Sequence, residues 1–173
     1  MGDLLFNVGD TNFLCLVNKE TYQSFIKEDW DLIKNLIPHV KAQQQLGNLL
    51  MYQMTEEGIE DDWAIAYYVN EEYSESYLKK AENYIEVTNN WLHLIDYTCL
   101  TMAAQFLDDL IPDKECEPFS ISIENGYYLV NTLLYKDVDR GVKSGNQEDL
   151  AFYFKKVEKP KNKLNKGIIW SGL

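Results

Sequence analysis

Nowhere in this 173-residue chain does an apolar run approach the roughly 18 residues that a membrane-spanning helix needs, so no such helix is expected. The opening MGDLLFNVGDTN has no cationic stretch ahead of a long apolar one, and Phe6 stands where a myristoylation signal needs Ser or Thr. Neither an obvious export signal nor that lipid anchor is expected. Histidine is scarce: His39 and His93 lie far apart, with no cysteine at ligand spacing, so zinc is not expected and both read as structural. The three cysteines, Cys15, Cys99 and Cys116, are odd in number and lack metal or redox spacing. Cys15 sits in an apolar run as a small hydrophobe would, and a reducing cytoplasm is the simplest setting. There is no Gly-x-Gly-x-x-Gly, no phosphate loop and no Gly-x-Ser-x-Gly elbow, so nucleotide-binding and serine-hydrolase readings have no handle.

Positive charge is also in short supply. Sixteen Lys and Arg oppose 28 Asp and Glu, a formal charge of −12, and residues 151–173 alone hold six Lys against one Glu. The acidic body is therefore balanced by a basic tail. Nucleic acid and anionic membranes would be repelled by this body, and a basic protein is its natural counterpart. What is abundant is apolar and aromatic matter, 46% and 13% of residues, with twelve tyrosines. A single folded domain over 1–173 with a sizeable core is expected.

The run FLCLV at 13–17 reads as a buried strand. From Lys19 to about Ile37, Tyr22, Phe25, Ile26, Trp30, Ile33, Leu36 and Ile37 recur at helical spacing until Pro38, which reads as a stop. GNLLMYQM and WAIAYYV are β-type runs around TEEGIEDD, read as a hairpin with an exposed acidic loop. Residues 71–83 read as a short polar helix or loop. In YIEVTNNWLHLID an Asn-Asn turn separates two strands, and YTCLTMAAQFLDDLIP reads as a helix stopped by Pro112. PFSISIENGYYLVNTLLY carries Asn125-Gly126, a strong hairpin signal. The strand AFYFKKVE, a flexible Lys-rich stretch and the apolar end IIWSGL close the chain, the last docking back on the body.

Two stretches are near copies. Aligned without gaps, Asn12, Phe13, Leu14, Leu16, Val17 and Asn18 match Asn90, Trp91, Leu92, Leu94, Ile95 and Asp96 in character. Each opens a series of strand, helix ending at proline, then hairpin. The expected architecture is α+β, mainly antiparallel β hairpins with short helices. Two pseudo-repeated halves at about 10–70 and 88–136 precede the strand and Lys-rich tail of 151–173.

The second unit resembles a module of uncharacterised bacterial domain families, several of whose members act as immunity proteins beside secreted toxins. The module runs Leu-x-apolar-x-Asp, then Phe-x-apolar, then Gly-x-Tyr-x-Val. Here its parts are Leu92, Leu94 and Asp96, followed by Phe119, Ile121, Gly126, Tyr128 and Val130. Asn90, Tyr97 and Asn125 replace a Gly and two Pro that the pattern usually carries. The resemblance implies a cytoplasmic immunity protein that occludes the active or substrate-binding surface of a cognate toxin.

Candidate chemistry is sparse, and no catalytic, cofactor or metal set is expected. Cys99 with His93 or His39 would make a nucleophilic pair only if the fold joined them. Asp108, Asp109, Asp113 and Glu115 read as a solvated helix end rather than a cation site, and DVDRG at 137–141 lacks the later residues of a calcium loop. The distinctive stretch is acidic and aromatic. Glu56, Glu57, Glu60, Asp61, Asp62, Glu71, Glu72 and Glu75 surround Trp63, Tyr67, Tyr68, Tyr73 and Tyr77. Carboxylates steer and bond Lys and Arg, while Trp and Tyr supply interface anchors. Glu56, Glu57, Glu60, Asp61, Asp62, Trp63, Glu71, Glu72 and Tyr73 are the expected partner-binding residues, with Trp63 the anchor if its ring is exposed. The alternatives are a solvated loop over a core Trp63, a small cytoplasmic enzyme with a Cys/His or carboxylate site, and a non-catalytic adaptor.

Overall fold

The computed structural model describes residues 2–24, 31–74, 76–106, 108–145, 147–161, 165 and 167–172. Its elements in chain order are β1 (Gly2–Phe6), β2 (Phe13–Val17), a π-helical turn (Leu32–Leu36), α1 (Ile37–Leu46), β3 (Leu49–Gln53), β4 (Trp63–Val69), β5 (Lys79–Val87) and β6 (Trp91–Asp96). After these come α2 (Tyr97–Gln105), β7 (Ser120–Ser122), β8 (Gly126–Leu134), β9 (Lys136–Asp137), β10 (Val142–Lys143) and β11 (Leu150–Val157). The class is α+β, and among the described strands every ladder but that of β4 with β11 is antiparallel.

FLCLV is apolar without alternation because β2 is buried on both faces. It lies inside a four-stranded sheet ordered β3-β2-β6-β7. Leu14 and Leu16 join the main core, whereas Cys15 and Val17 pack with Val40 of α1 and Leu100 of α2. A five-stranded sheet, β1-β4-β11-β8-β5, closes the main core from the other side with Trp63, Ile65, Phe152, Phe154 and Val130. Helices, four-stranded sheet and five-stranded sheet are thus three layers. Tyr52 and Thr132 join the two sheets through a buried hydroxyl pair at 2.8 Å.

Several local expectations are corrected. Pro38 opens α1 rather than ending a helix, since the first helical turn needs no N–H donor there, and Gly47 (φ 80°) caps its far end. Phe25, Ile26 and Trp30 of the expected earlier helix lie outside the described residues. Residues 79–83 belong to β5, not to a helix or loop. The helix stopped by Pro112 in expectation stops at Gln105. β3 and β4 are not a hairpin: β3 pairs with β2, and β4 with β1 and β11, so TEEGIEDD carries the chain between sheets. β7 and β8 likewise belong to different sheets, and of the Asn125-Gly126 pair only Gly126 has positive φ. The tight turn with two positive φ values is Asn89-Asn90, at 54° and 61°, between β5 and β6. At Gly126 φ is 151°, and an added Cβ would lie 2.8 Å from Lys156 Cε. Gly126→Val is expected to cost about 1–3 kcal/mol, read as a lower urea midpoint; an unchanged midpoint would refute the strain.

Both sheets read alike from either end once β1 to β4 are matched to β5 to β8. β11 lies between β4 and β8, and Leu16 faces Leu94, its match in the ungapped alignment. Leu14 and Leu92 are both fully buried in strands. We propose that a β-β-α-β-β unit was duplicated, over residues 2–69 and 79–134, which would extend the halves read from sequence to include β1 and β5. At the C-terminal end Ile169 bridges Tyr52, and Trp170 packs 5.4 Å from the Tyr52 ring.

Candidate functional site

The acidic loop between β3 and β4 is pinned at its base. Met54 N–H donates to Asn12 O at 2.7 Å, Asp61 N–H to Thr11 Oγ1 at 2.8 Å, and Thr55 Oγ1 to Ile59 O at 3.0 Å. Its acids then diverge in role. Asp61 is half-buried and lies 2.7 Å from Lys136 Nζ; desolvation works to raise its carboxyl, but the bonds from Lys136 and Asp62 N–H bring it below its ordinary value. Glu56 lies 3.9 Å from Lys79, and Asp139 accepts from the N–H groups of Glu56 and Glu57, which lowers its own carboxyl. Glu57, Glu60 and Asp62 are exposed. Trp63 is not: its ring is 0% exposed, so the condition for an anchor is unmet and its place is the core. It sits there because β4 alternates Trp63, Ile65 and Tyr67 inward.

At the other end of β4 the chain must reach β5 across β11 and β8. Residues 70–74 and 76–78 lie along that crossing over the outer face of the five-stranded sheet, bonded by Asn70 N–H to Phe154 O and Leu78 N–H to Leu134 O, each at 2.8 Å. Tyr73 and Tyr77 of this crossing pack on Ala66, Leu133, Tyr135, Ala151 and Tyr153. Tyr68 stacks on Tyr153 with ring centroids 4.6 Å apart, and Tyr73 lies 5.3 Å from Tyr153. Glu71 and Glu72 are exposed beside them; Glu75 lies outside the described residues. Burial, then the charges of Glu148, Asp3 and Glu71 among others, pushes the Tyr68 hydroxyl up to about 12. The face is thus tyrosine-lined and rich in acids, with Lys80 Nζ over the Tyr73 ring and bonded to its hydroxyl. The structure separates Glu56–Asp62 from Glu71–Tyr73 by the length of β4. It adds Asp3, Glu148 and Tyr153, which no local pattern could have indicated, because sheet pairing alone brings them in.

A cleft of about 1010 Å³ opens on the opposite side, beside α2, lined by Tyr22, Trp91, His93, Asp109, Asp113 and Glu117 among others. Ser120 Oγ donates its one proton to Glu117 O at 2.9 Å, so it accepts from His93 Nδ1–H at 2.8 Å. His93 is therefore the Nδ1–H tautomer. Burial, then Lys19, lowers it to about 4, and its Nε2 has no hydrogen-bond partner. His39 is bonded to Tyr22 Oη at 3.1 Å. A thiolate nucleophile is disfavoured at two of the cysteines: burial is the leading cause for Cys15, and the Cys99 contact followed by burial for Cys116, both held far above the ordinary thiol value. Asp96 caps α2 by accepting from Cys99 N–H at 2.7 Å, and burial raises its carboxyl to about 6 against that bond. Among the described residues, the donor atoms of Cys99, Asp113 and Cys116 are the ones close enough together to share a metal ion.

No protein-family model matches the chain, and no curated protein does. Among solved structures it aligns with ComJ from Bacillus subtilis, an inhibitor of the DNA-degrading activity of NucA, at 13% identity. The alignment covers 91% of this chain and 96% of that one, with a TM-score of 0.48.

Proposed function

We propose that this chain is a cytoplasmic immunity protein that binds a basic toxin and occludes its active or substrate-binding surface. The observation that carries the reading is the pair of half-buried tyrosines Tyr68 and Tyr73, packed on the buried Tyr153, with Asp3, Glu71 and Glu148 near enough to raise the Tyr68 hydroxyl. Tyrosines offer rigid contact area, and the acids around them offer charge-assisted bonds to Lys and Arg. Glu72 and Tyr73 belong to the same face. The exposed Glu57, Glu60 and Asp62 extend the negative field and speed encounter with a cation-rich partner. Asp61 acts chiefly through Lys136 and Trp63 through the core, so neither is a free contact.

The test is co-expression with the product of the gene immediately upstream, scored by cell survival and by co-purification. Glu71→Lys, Glu72→Lys and Glu148→Lys together are expected to leave the circular dichroism spectrum unchanged and to weaken binding by about thirtyfold or more. A folded triple variant that still protects would move the interface elsewhere. An upstream product that neither harms cells nor binds would overturn the immunity reading.

A further inference from the structure

Two buried thiols and a carboxylate converge where α2 meets the irregular segment that follows it. Cys99 lies in the first turn of α2, and Cys116 in the turn over residues 113–117; they are 2% and 1% exposed. Both Sγ atoms and a carboxylate oxygen of Asp113 lie within 4.8 Å of one another. Ligands of a tetrahedral ion with bonds of about 2.1–2.3 Å stand roughly 3.5–3.8 Å apart, so a small inward movement closes the set. Asp113 and Cys116 have the Cys-x-x-Cys spacing with carboxylate in place of the first thiolate. Asp113 Oδ1 accepts the N–H groups of Glu115 at 3.1 Å and Cys116 at 2.8 Å, which holds its carboxylate over the turn. Asp113 also lines the cleft, giving an ion a path from solvent.

We propose that Cys99, Asp113 and Cys116 bind a zinc-class divalent cation, which ties the segment 106–119 to α2. Each thiol gives up its proton and its sulfur donates an electron pair to the ion. Two protons are released, and the site of one dication, two thiolates and one carboxylate carries a net charge of −1. Two sulfur ligands select Zn²⁺ over Mg²⁺ or Ca²⁺, and three protein ligands leave a fourth position for water from the cleft. The site is independent of the toxin reading: it draws on none of the residues of the tyrosine face.

The probe is Co²⁺ alone, titrated into full-length, chelator-treated protein with all three cysteines shown to be reduced. One equivalent is expected to raise a sulfur-to-cobalt charge-transfer band and the intense visible bands of tetrahedral cobalt, bleached by Zn²⁺ and untouched by Mg²⁺. Cys116→Ser should weaken the charge-transfer band, and Asp113→Asn should weaken Co²⁺ binding by about tenfold or more. If the serine variant fails to fold, Asp113→Asn still decides, because asparagine keeps the turn's acceptor oxygen. Absence of the band in natively folded, reduced protein would overturn the proposal. So would a band and affinity unaltered in either variant.

Discussion

Replacing Trp63 by alanine is expected to lower stability by about 3–5 kcal/mol, a large share of the 5–15 kcal/mol of a typical domain. Trp63 is fully buried and sits among Phe6, Ile65 and Leu150 in the core between the sheets, so truncation leaves a cavity there. Its Nε1 has no hydrogen-bond partner, so Trp63→Phe, which removes that donor and keeps a ring, is expected to lose about 1–2 kcal/mol only. Urea unfolding followed by circular dichroism separates the two. Equal midpoints for Trp63→Ala and wild type would remove the residue from the core. The consequence for binding is direct, because any loss of partner affinity in Trp63→Ala reports unfolding rather than a missing anchor.

The second large effect follows from His93. Its value falls from 6.5 to about 4 on folding, with burial the main cause and Lys19 the next. Between these limits the unfolded chain binds the proton and the folded chain does not, so the contribution of this group is full at neutral pH. It is lost as pH falls through 6.5 towards 4. From pH 7 to pH 5 the loss is about 2 kcal/mol. His93→Asn cannot titrate there, yet its amide N–H can still donate to Ser120. The wild-type minus variant difference in unfolding free energy should therefore shrink by about that amount between pH 7 and pH 5, since carboxylates common to both chains cancel. A difference independent of pH would show that His93 is not held neutral.

What could be read beforehand was whatever the chain encodes locally. The unbroken apolar run of β2 signals burial on both faces, and Asn89-Asn90 is a turn because asparagine tolerates positive φ. Partnership between strands is not local. GNLLMYQM and WAIAYYV have the pattern of a hairpin, and nothing in either says that they join different sheets. Asn125-Gly126 misled for the same reason: Gly126 does take an unusual φ, but on a passage between layers. The candidate face was half legible. Glu71, Glu72 and Tyr73 stood out by composition, whereas Asp3 and Glu148 arrive from remote segments through β1 and β11. The Asp113-x-x-Cys116 pair gives no signal by itself in the sequence, because Cys99 comes near it only through the packing of a helix.

The position of β11 between β4 and β8 has a consequence for biosynthesis. β11 follows both β4 and β8 in the chain, so the two halves of the five-stranded sheet must wait for the strand that joins them. During that interval each of β4 and β8 presents an open edge with unsatisfied backbone groups, a template for pairing with a neighbouring nascent chain. The five consecutive buried residues of β11, Leu150 to Phe154, seal both edges in a single late step. Until β11 docks, each half of the five-stranded sheet therefore stays open to mispairing.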